Sequence, residues 1–288
     1  MTDKNHLDNY GSLPLCVFDQ ERGFDYPEAA GERRVLFPEH IHRAIEVTYV
    51  DFGRRIVSIG GREYEIRAGD MYIVNPFDLH IGWALRGEDR FHNYAAVFEL
   101  EHFAEMVPSD GGQFLCGVGR GTERFVPVVR NLPAEVVDTV KSLDAAYKDD
   151  SPMRMLSYVY KILDFLVREC ACKASVPVNP NFAFIAQVTD IVDARYGEEL
   201  TTSRVSAELS YSESYFCRKF RDCFGTTFTE YLNAARIRKA MSFLIHSDMN
   251  FQSVAMACGI NDYAHFSRLF KRYGGVSPSD FCRLKSRR

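Results

Sequence analysis

The first third of the chain alternates apolar and polar residues with a period close to two, which is typical of strands with one buried face. The alternating segments are rich in β-branched and aromatic residues. Turn residues such as Gly60-Gly61 and Pro76 separate them. The segments are RRVLF, IEVTYV, RRIVSI, EYEIR, MYIVN, HIGWAL and NYAAVFEL, between residues 33 and 100. Seven strands at nearly regular spacing predict a closed β-barrel or a sandwich.

A period of three to four residues replaces this alternation after Pro133. Residues 134–148 and 151–172 predict two amphipathic helices, and Ser151-Pro152 supplies a cap and first turn for the second. The connector 173–181 (KASVPVNPN) is polar and is broken by two prolines. We therefore place the domain boundary there, and everything after it has helical character.

The tail contains an internal repeat. A shift of 50 residues aligns Phe216 with Phe266, Arg218 with Arg268, Phe220 with Phe270, Gly225 with Gly275 and Tyr231 with Phe281. A repeat of this length is a duplicated supersecondary unit. Each copy has a short helix, a tight turn, a capping residue (Ser212; Asn261 or Asp262) and a longer helix, which is the helix-turn-helix pattern. The short helices are predicted at 202–209 and 251–258, and the longer ones at 213–223 and 262–273.

Charge is distributed unevenly between the two parts. The 288-residue chain has 35 Lys and Arg against 39 Asp and Glu, a net charge of −4. Residues 1–180 hold 20 basic and 28 acidic residues, net −8, whereas residues 181–288 hold 15 and 11, net +4. A basic tail behind an acidic front half indicates a polyanion-binding module. Eight scattered cysteines without a C-x-x-C pair suggest neither a disulfide framework nor a thiolate metal site.

The two longer helices of the repeat present cationic and small residues outside their aromatic stripe. Phe216 and Phe220 lie four residues apart, as do Phe266 and Phe270, and therefore share a buried face. A helix of this kind fits the DNA major groove, where Arg bonds guanine and small side chains approach base edges. An ordinary solvated helix face remains the alternative for either helix alone. The predicted DNA-facing residues are Ser214, Cys217, Arg218 and Arg221 in the first copy, and Tyr263, Ala264, Ser267, Arg268, Lys271 and Arg272 in the second.

Between the copies, residues 229–246 predict one continuous helix of roughly 27 Å. A strut of that length compares with the roughly 34 Å turn of B-DNA, and so could hold two recognition helices in successive grooves. It leaves Arg236, Arg238 and Lys239 available to phosphate.

The string 250–281, NFQSVAMACGINDYAHFSRLFKRYGGVSPSDF, resembles the second helix-turn-helix signature of AraC/XylS-type transcription regulators. The matching positions include Gly259, Phe266, Arg268, Phe270-Lys271, Gly275 and Ser277-Pro278. Ser206, Ile260 and Gly274 depart from the usual residues, and none of them is a DNA-facing position. The resemblance implies binding upstream of a promoter and altered recruitment of RNA polymerase, most often activation.

The segment HIHRAIEVTYVDFG predicts His40, His42 and Glu46 on one side of a single strand, with His80 following later. This resembles the cupin barrel, whose metal-binding members use such residues as metal ligands. The match is partial, because the glycine that usually lies five residues before the first histidine is absent and Gly31 lies further from it. Three interpretations stay open: a metal site, an effector pocket without metal, and structural histidines. Because regulators of this type commonly use these positions for a metal-free effector pocket, we expect neither metal nor cofactor.

The expected ligand is a small hydroxylated molecule such as a sugar, since aromatic rings stack on it while His and Glu bond its hydroxyls. The predicted effector-binding residues are His40, His42, Glu46, His80, Trp83 and Tyr94, with Tyr49 nearby. Residues 151–172 also lie where the resemblance places a dimerisation helix, although packing under the barrel explains the same apolar stripe.

The sequence thus predicts an α+β protein of two domains, with a cupin-like β-barrel and flanking helices before an all-α module of two helix-turn-helix units joined by a long helix. The parts are 1–130, an effector-sensing barrel; 131–175, a helical dimerisation region; and 176–288, the DNA-binding domain. We expect a cytoplasmic, homodimeric, non-enzymatic regulator with double-stranded DNA, a small-molecule effector and RNA polymerase as partners, and no membrane association. The alternative is a metal-dependent cupin enzyme, an oxygenase or isomerase, with an appended nucleic-acid-binding module.

Overall fold

The computed structural model describes residues 15–20, 33–85, 91–107, 109–172, 180–247, 249–274 and 276–285. These residues divide into two compact units, a sensor unit up to residue 182 and a tail unit from residue 183 onward. The connector 173–179, Gly31 and Gly275 lie outside the described residues. None of the described helices is both long and apolar enough to cross a membrane.

Within the described residues, nine strands in two antiparallel sheets build the sensor unit. All seven predicted strands are present, and β1 and β9 add two that the pattern did not reveal. The strands are β1 (Leu15–Gln20), β2 (Arg33–His40), β3 (Ile45–Phe52), β4 (Arg54–Ile59), β5 (Arg62–Arg67), β6 (Met71–Val74), β7 (His80–Leu85), β8 (His92–Phe98) and β9 (Val128–Val129). One sheet has the order β1-β8-β3-β6-β9 and the other β2-β7-β4-β5.

Strand β3 shows how the two faces of the first sheet differ. Val50 packs with side chains of β4, β5 and β6, so its face of β3 looks into the space between the two sheets. Ile45, Val47 and Tyr49 point to the opposite face and join a larger core with the helices. Because side chains alternate along a strand, Glu46 shares the inter-sheet face with Val50.

Four of the described helices cover the outer face of the first sheet. The predicted helices are confirmed as α3 (Ala134–Lys148) and α4 (Pro152–Glu169), while the short α1 (Leu100–Ala104) and α2 (Asp110–Gly119) were not predicted. The buried stripe of α4 belongs to the core under the sheet. It consists of Met155, Val159, Ile162, Leu163 and Leu166. This packing accounts for the apolar pattern of α4, and a dimerisation role for this region stays a prediction.

The tail unit is entirely helical in its described part and contains both predicted helix-turn-helix units. Its helices are α5 (Phe182–Arg195), α6 (Thr202–Glu208), α7 (Glu213–Phe224), α8 (Phe228–His246), α9 (Phe251–Ala257), α10 (Tyr263–Gly274) and α11 (Pro278–Lys285). The turn before each longer helix contains a residue of positive φ, Ser210 (60°) in the first copy and Gly259 (72°) in the second. The left-handed conformation suits glycine and strains most other residues.

Helix α8 joins the two copies. A capping box between Thr227 and Glu230 starts it. Near its first turns, Tyr231 lies against the rings of Phe220 and Phe224 of α7. Its later residues, including Met241, pack in one core with α9, α10 and α11. Each half of α8 therefore belongs to the core of one copy, which confirms the predicted long connecting helix.

Candidate nucleic-acid interface and ligand site

Helix α7 turns an aromatic face inward and a polar face to solvent. Ser212 caps it by accepting a hydrogen bond from the backbone N–H of Tyr215. Phe216, Phe220 and Phe224 are fully buried and contact one another. The four predicted DNA-facing residues of this helix, Ser214, Cys217, Arg218 and Arg221, are all exposed.

Helix α10 repeats this arrangement. Of the two candidate capping residues, Asp262 rather than Asn261 caps the helix, because its Oδ1 accepts the backbone N–H of His265. Phe266 and Phe270 are fully buried, as their counterparts are in α7. Of the predicted residues, Ser267 is half-buried and the others are exposed: Tyr263, Ala264, Arg268, Lys271 and Arg272. The two copies therefore present matched faces, with Arg218 and Arg268 at equivalent positions.

Arg236 differs from its prediction as a phosphate contact. Its Nε donates to the carbonyl oxygen of Tyr196 at 2.8 Å, and its Nη2 donates to that of Glu198 at 2.7 Å. Burial also lowers the pKa of its guanidinium from the usual value. Its hydrogen bonds thus tie α8 to the chain after α5, because the carbonyls at a helix end need donors. We reassign Arg236 to a structural role.

The structure adds two features to this surface that the sequence analysis did not describe, the exposed ring of Tyr215 and an ion pair of Arg272. Tyr215 is 40% exposed, and the guanidinium of Arg218 lies 5.6 Å from its ring centroid. The sequence pattern could have indicated Tyr215, because it is an aromatic residue outside the buried stripe of α7. Tyr is a common hydrogen-bond donor to DNA phosphate. Arg272 forms an ion pair with Glu230 at 3.1 Å, which links α10 to the start of α8 while leaving the arginine exposed.

The sensor unit brings His40, His42, Glu46 and His80 together, although not on one strand as predicted. His40 ends β2, His42 lies in the following loop and Glu46 belongs to β3. Register explains the convergence, since His40 pairs with His80 of β7. The His40 and His80 ring centroids are 4.0 Å apart, and Nε2 of both His42 and His80 lies 3.6 Å from Oε2 of Glu46.

Trp83 and Tyr94 do not share this site. Trp83 is three residues beyond His80 on β7, where burial alternates, so it points to the opposite face of the second sheet. Tyr94 pairs with Tyr49 on the helix-covered face of the first sheet, and their rings stack at 6.5 Å. The sequence analysis grouped Trp83 and Tyr94 with the histidines and Glu46. Because side chains alternate between the two faces of a strand, both aromatic residues point away from that cluster.

Instead, the inter-sheet space holds polar residues that the sequence analysis missed. Thr48 donates a hydrogen bond to Oε1 of Glu46 at 3.0 Å. Arg55 is 1% exposed and its guanidinium lies 4.5 Å from the ring centroid of Phe91. Within the described residues, Nε and Nη2 of Arg55 and Oδ1 of Asn93 have no hydrogen-bond partner. Such groups are costly to bury and often mark a ligand site.

Electrostatics reinforce this picture. Burial alone would raise the pKa of Glu46, but attraction to His42 and His80 outweighs it and holds the pKa well below its usual range. Burial lowers the pKa of Arg55 and raises that of Tyr72. The interior therefore offers one carboxylate, one guanidinium and several hydrogen-bonding groups. Ring nitrogens of the three histidines all lie within 4.8 Å of one another, close enough to share one metal ion.

Comparison with known proteins identifies both units. Residues 26–117 match the family model of the AraC-like ligand binding domain, and residues 205–283 match that of a helix-turn-helix domain. The chain is 25% identical over 254 residues to HTH-type transcriptional activator RhaS of Klebsiella pneumoniae (strain 342), covering 85% of this chain and 87% of the relative. RhaS of Salmonella heidelberg (strain SL476) is also 25% identical, over 86% of this chain and 88% of its own.

The fold as a whole is similar to that of ToxT from Vibrio cholerae. A ToxT structure from strain O395, bound to (E)-4-(8-methylnaphthalen-1-yl)but-3-enoic acid, has a TM-score of 0.63 at 12% identity and covers 94% of this chain and 98% of its own. A fatty-acid-bound ToxT from strain SCE256 has a TM-score of 0.59 at 13% identity, with 96% of each chain covered.

The fold and the matched domains define a transcription regulator in which a ligand-binding β domain accompanies a tandem helix-turn-helix domain. Both matched domains and the RhaS relatives are of the AraC type, so the chain is similar to AraC-type regulators in each of its two units. Its curated relatives are transcriptional regulators, which favours this class over the metal-dependent cupin enzyme that the sequence left as an alternative.

Proposed function

We propose that this protein is an effector-responsive activator that binds double-stranded DNA through α7 and α10 and recruits RNA polymerase. The observation that carries the proposal is the matched pair of exposed faces, each built on a fully buried aromatic pair and held by its own half of α8. Two matched cationic helices on a shared strut suit successive major grooves of one DNA face. Activation follows the character of the RhaS relatives, which are named as activators.

Base readout falls to Arg218 and Arg268 in this proposal. Each lies two residues beyond a buried phenylalanine, on the exposed face of its helix. An arginine directed into the major groove can bond guanine with both arms of its guanidinium. Lys271 is placed nearer the flank and contacts phosphate, which positions the protein without selecting sequence. The remaining exposed residues of α7 and α10 complete the two contact surfaces.

The effector is a small polar molecule held in the inter-sheet space of the sensor unit. Glu46, His80 and their neighbours supply donors and acceptors for hydroxyl groups, and a carbohydrate is the class we favour. Trp83 and Tyr94 no longer belong to the proposed pocket because they point away from it.

A homodimer completes the proposed assembly. The apolar stripe of α4 is buried in the core of the sensor unit. A dimer contact through this helix must therefore use its solvent-exposed side. That side carries the exposed Arg154, Lys161, Asp164 and Arg168. A dimer formed there would be polar, and its stability would depend on salt.

Sequencing of DNA captured from the genome by the full-length protein tests the proposal. We expect recovered fragments to share a site that spans two successive major grooves, and we expect fluorescence anisotropy to show stronger binding to that site than to random DNA. Arg268→Ala should remove this preference, whereas His92→Ala, in the sensor unit, should retain it. Equal binding of the wild-type protein to recovered and random DNA would contradict the proposed sequence-specific function.

A further inference from the structure

Arg55 carries a positive charge into the space between the two sheets. Val57 and Ile59 of the same strand belong to the inter-sheet core. Because side chains alternate along β4, Arg55 faces the same space. It is 1% exposed, and its guanidinium lies 4.5 Å from the ring centroid of Phe91. A guanidinium stays protonated in proteins even where burial lowers its pKa, as it does here. The interior of the sensor unit therefore contains a permanent positive charge.

Two neighbours offset this charge only in part. Tyr72 forms a hydrogen bond with Arg55, and because burial raises the pKa of Tyr72, its hydroxyl is neutral at physiological pH. Glu46 attracts Arg55 through space, but the ion pairs of Glu46 among the described residues are with His42 and His80. Neither neighbour supplies a carboxylate in direct contact with the guanidinium.

The unused donors of Arg55 lie on one edge of its guanidinium. In the part of the chain that the structure describes, Nε and Nη2 are buried and have no hydrogen-bond partner. Their N–H bonds point the same way, and this is an edge with which arginine binds a carboxylate through two parallel hydrogen bonds. Two unsatisfied donors in the interior are costly. The edge therefore fits a ligand that supplies two oxygen acceptors and a negative charge.

Asn93 adds an unused acceptor to the same space. It pairs with Val50 of β3, whose side chain lies between the sheets, so Asn93 faces that space as well. Its Oδ1 is buried and has no partner among the described residues. A carboxylate has no hydrogen to donate, whereas a hydroxyl group does. The two orphaned groups together fit a ligand that carries both a carboxylate and hydroxyl groups.

We propose that the effector is a sugar acid, whose carboxylate binds the Nε–Nη2 edge of Arg55 and whose hydroxyl groups bond Asn93 and the other polar side chains between the sheets. A monoanion matches one guanidinium, whereas a phosphate ester would bring up to about two negative charges close to Glu46. The inference rests on the proposed function and deepens it, because it specifies which kind of carbohydrate the sensor unit takes.

Isothermal titration calorimetry of the full-length protein with matched pairs of sugars tests the proposal. Potassium salts of D-galacturonate, D-glucuronate and D-gluconate are compared at constant ionic strength with D-galactose, D-glucose and D-glucitol, which carry a hydroxymethyl group in place of the carboxylate. We expect at least one acid to bind about 10- to 100-fold more tightly than its neutral parent, as hydrogen bonds between charged groups contribute. Inorganic phosphate should bind at least about 10-fold more weakly than that acid.

Two methionine variants locate this preference in the chain. Arg55→Met should bind the acid no more tightly than its parent. Arg54→Met is the matched control, because Arg54 precedes Arg55 on β4 but is exposed and pairs with Glu65 at 3.8 Å. It should keep the wild-type preference for the acid.

Stability without sugar distinguishes a ligand-binding arginine from one that holds the fold together. Arg55→Met should unfold at the same or a higher urea concentration than the wild type, since an apolar side chain in place of a buried charge is often neutral or stabilising. A lower midpoint would show that contacts within the protein already compensate the charge, and would overturn the proposal.

The proposal would also fail if the wild type bound none of the acids, bound each acid no more tightly than its parent, or bound inorganic phosphate as tightly as the acids. An unchanged preference in Arg55→Met would contradict it as well. Equal binding of acids and parents would leave a carbohydrate effector in place. Sequence-specific DNA binding is measured independently, so these failures are distinguishable from failure of the proposed function.

Discussion

The tail unit leaves its cationic side chains exposed to solvent on α7 and α10, whereas the sensor unit buries ionisable side chains between its sheets. In the tail, α7 and α10 bury aromatic rings and leave Arg218 and Arg268 in solvent. In the sensor, His80 is fully buried and Arg55 nearly so. Exposed cations on a regular face cost little and attract a polyanion. Buried ionisable groups are expensive and need partners. The comparison therefore indicates an extended DNA surface in one unit and an enclosed site for a small ligand in the other.

The largest expected effect comes from a substitution in the buried aromatic residues beneath the DNA-facing surface of α7. Phe220→Ala removes a fully buried ring that stacks on Phe224 at 4.2 Å and lies 5.7 Å from Tyr231. We expect a loss of about 3–5 kcal/mol in the free energy of unfolding of the tail, measured by urea denaturation. Tyr215→Ala, on the exposed side of the same helix, is the control and should cost less than about 1 kcal/mol. Similar losses for both would show that α7 is oriented differently.

A smaller effect tests the reassignment of Arg236. Arg236→Ala leaves the carbonyls of Tyr196 and Glu198 without their charged donor, which should cost about 2 kcal/mol of stability. Lys271→Ala, on the exposed face of α10, should leave the denaturation midpoint nearly unchanged. If Arg236→Ala kept full stability and instead weakened DNA binding, the original assignment to phosphate would be restored.

The division between base readout and positioning gives the next prediction. Arg268→Ala should cost about 1–3 kcal/mol on the cognate site and little on random DNA. Lys271→Ala should weaken binding to both and reduce the salt slope by about one. Anisotropy titrations at several salt concentrations measure both quantities. Identical behaviour of the two variants would show that the second recognition helix does not lie in the groove as proposed.

The smallest predicted effect concerns an ion cluster on the helix-covered face of the sensor. Burial alone would raise the pKa of Asp51, but hydrogen bonds from Lys141 and His92 outweigh it and lower the pKa from its usual value. A lowered folded-state pKa adds stability above the unfolded pKa of about 4, and this stability is lost as the pH falls through the lower folded value. Asp51→Asn should therefore flatten the acid side of the thermal stability profile by less than about 1 kcal/mol.

An unchanged acid profile in Asp51→Asn would show that the Lys141 and His92 contacts add no stability. Lys148→Ala is a comparison variant, because Lys148 forms an ion pair with Asp144 of the same helix. It should leave the contribution of Asp51 to the acid profile intact.

Periodicity made the tail and the strands predictable from the sequence. The stripes of α7 and α10 follow one helix each, so the exposed positions of Arg218 and Arg268 required no knowledge of tertiary structure. Strand β1 and the short helices α1 and α2 were missed, since segments of this kind carry a weak periodic signal.

The sensor site was harder to predict because it is assembled across strands. Sequence spacing put His42 and Glu46 on one strand, whereas His42 lies in the loop before β3 and Glu46 on β3 itself. Strand register then brings His40 beside His80. Trp83 was close in sequence but lies on the other face of its strand. Arg236 looked like any exposed helix arginine, since its carbonyl partners are about 40 residues away along the chain.

The most direct test of the account is DNA binding by the two parts of the chain separately. Residues 182–288 alone should bind DNA, and the affinity should fall steeply with salt as phosphates release counterions. Residues 1–175 alone should not bind, because this part is net acidic and lacks both recognition helices. Gel-shift titrations of the two fragments at equal concentration measure the difference. A front fragment that shifts DNA as well as the tail does would contradict the assignment of DNA binding to α7 and α10.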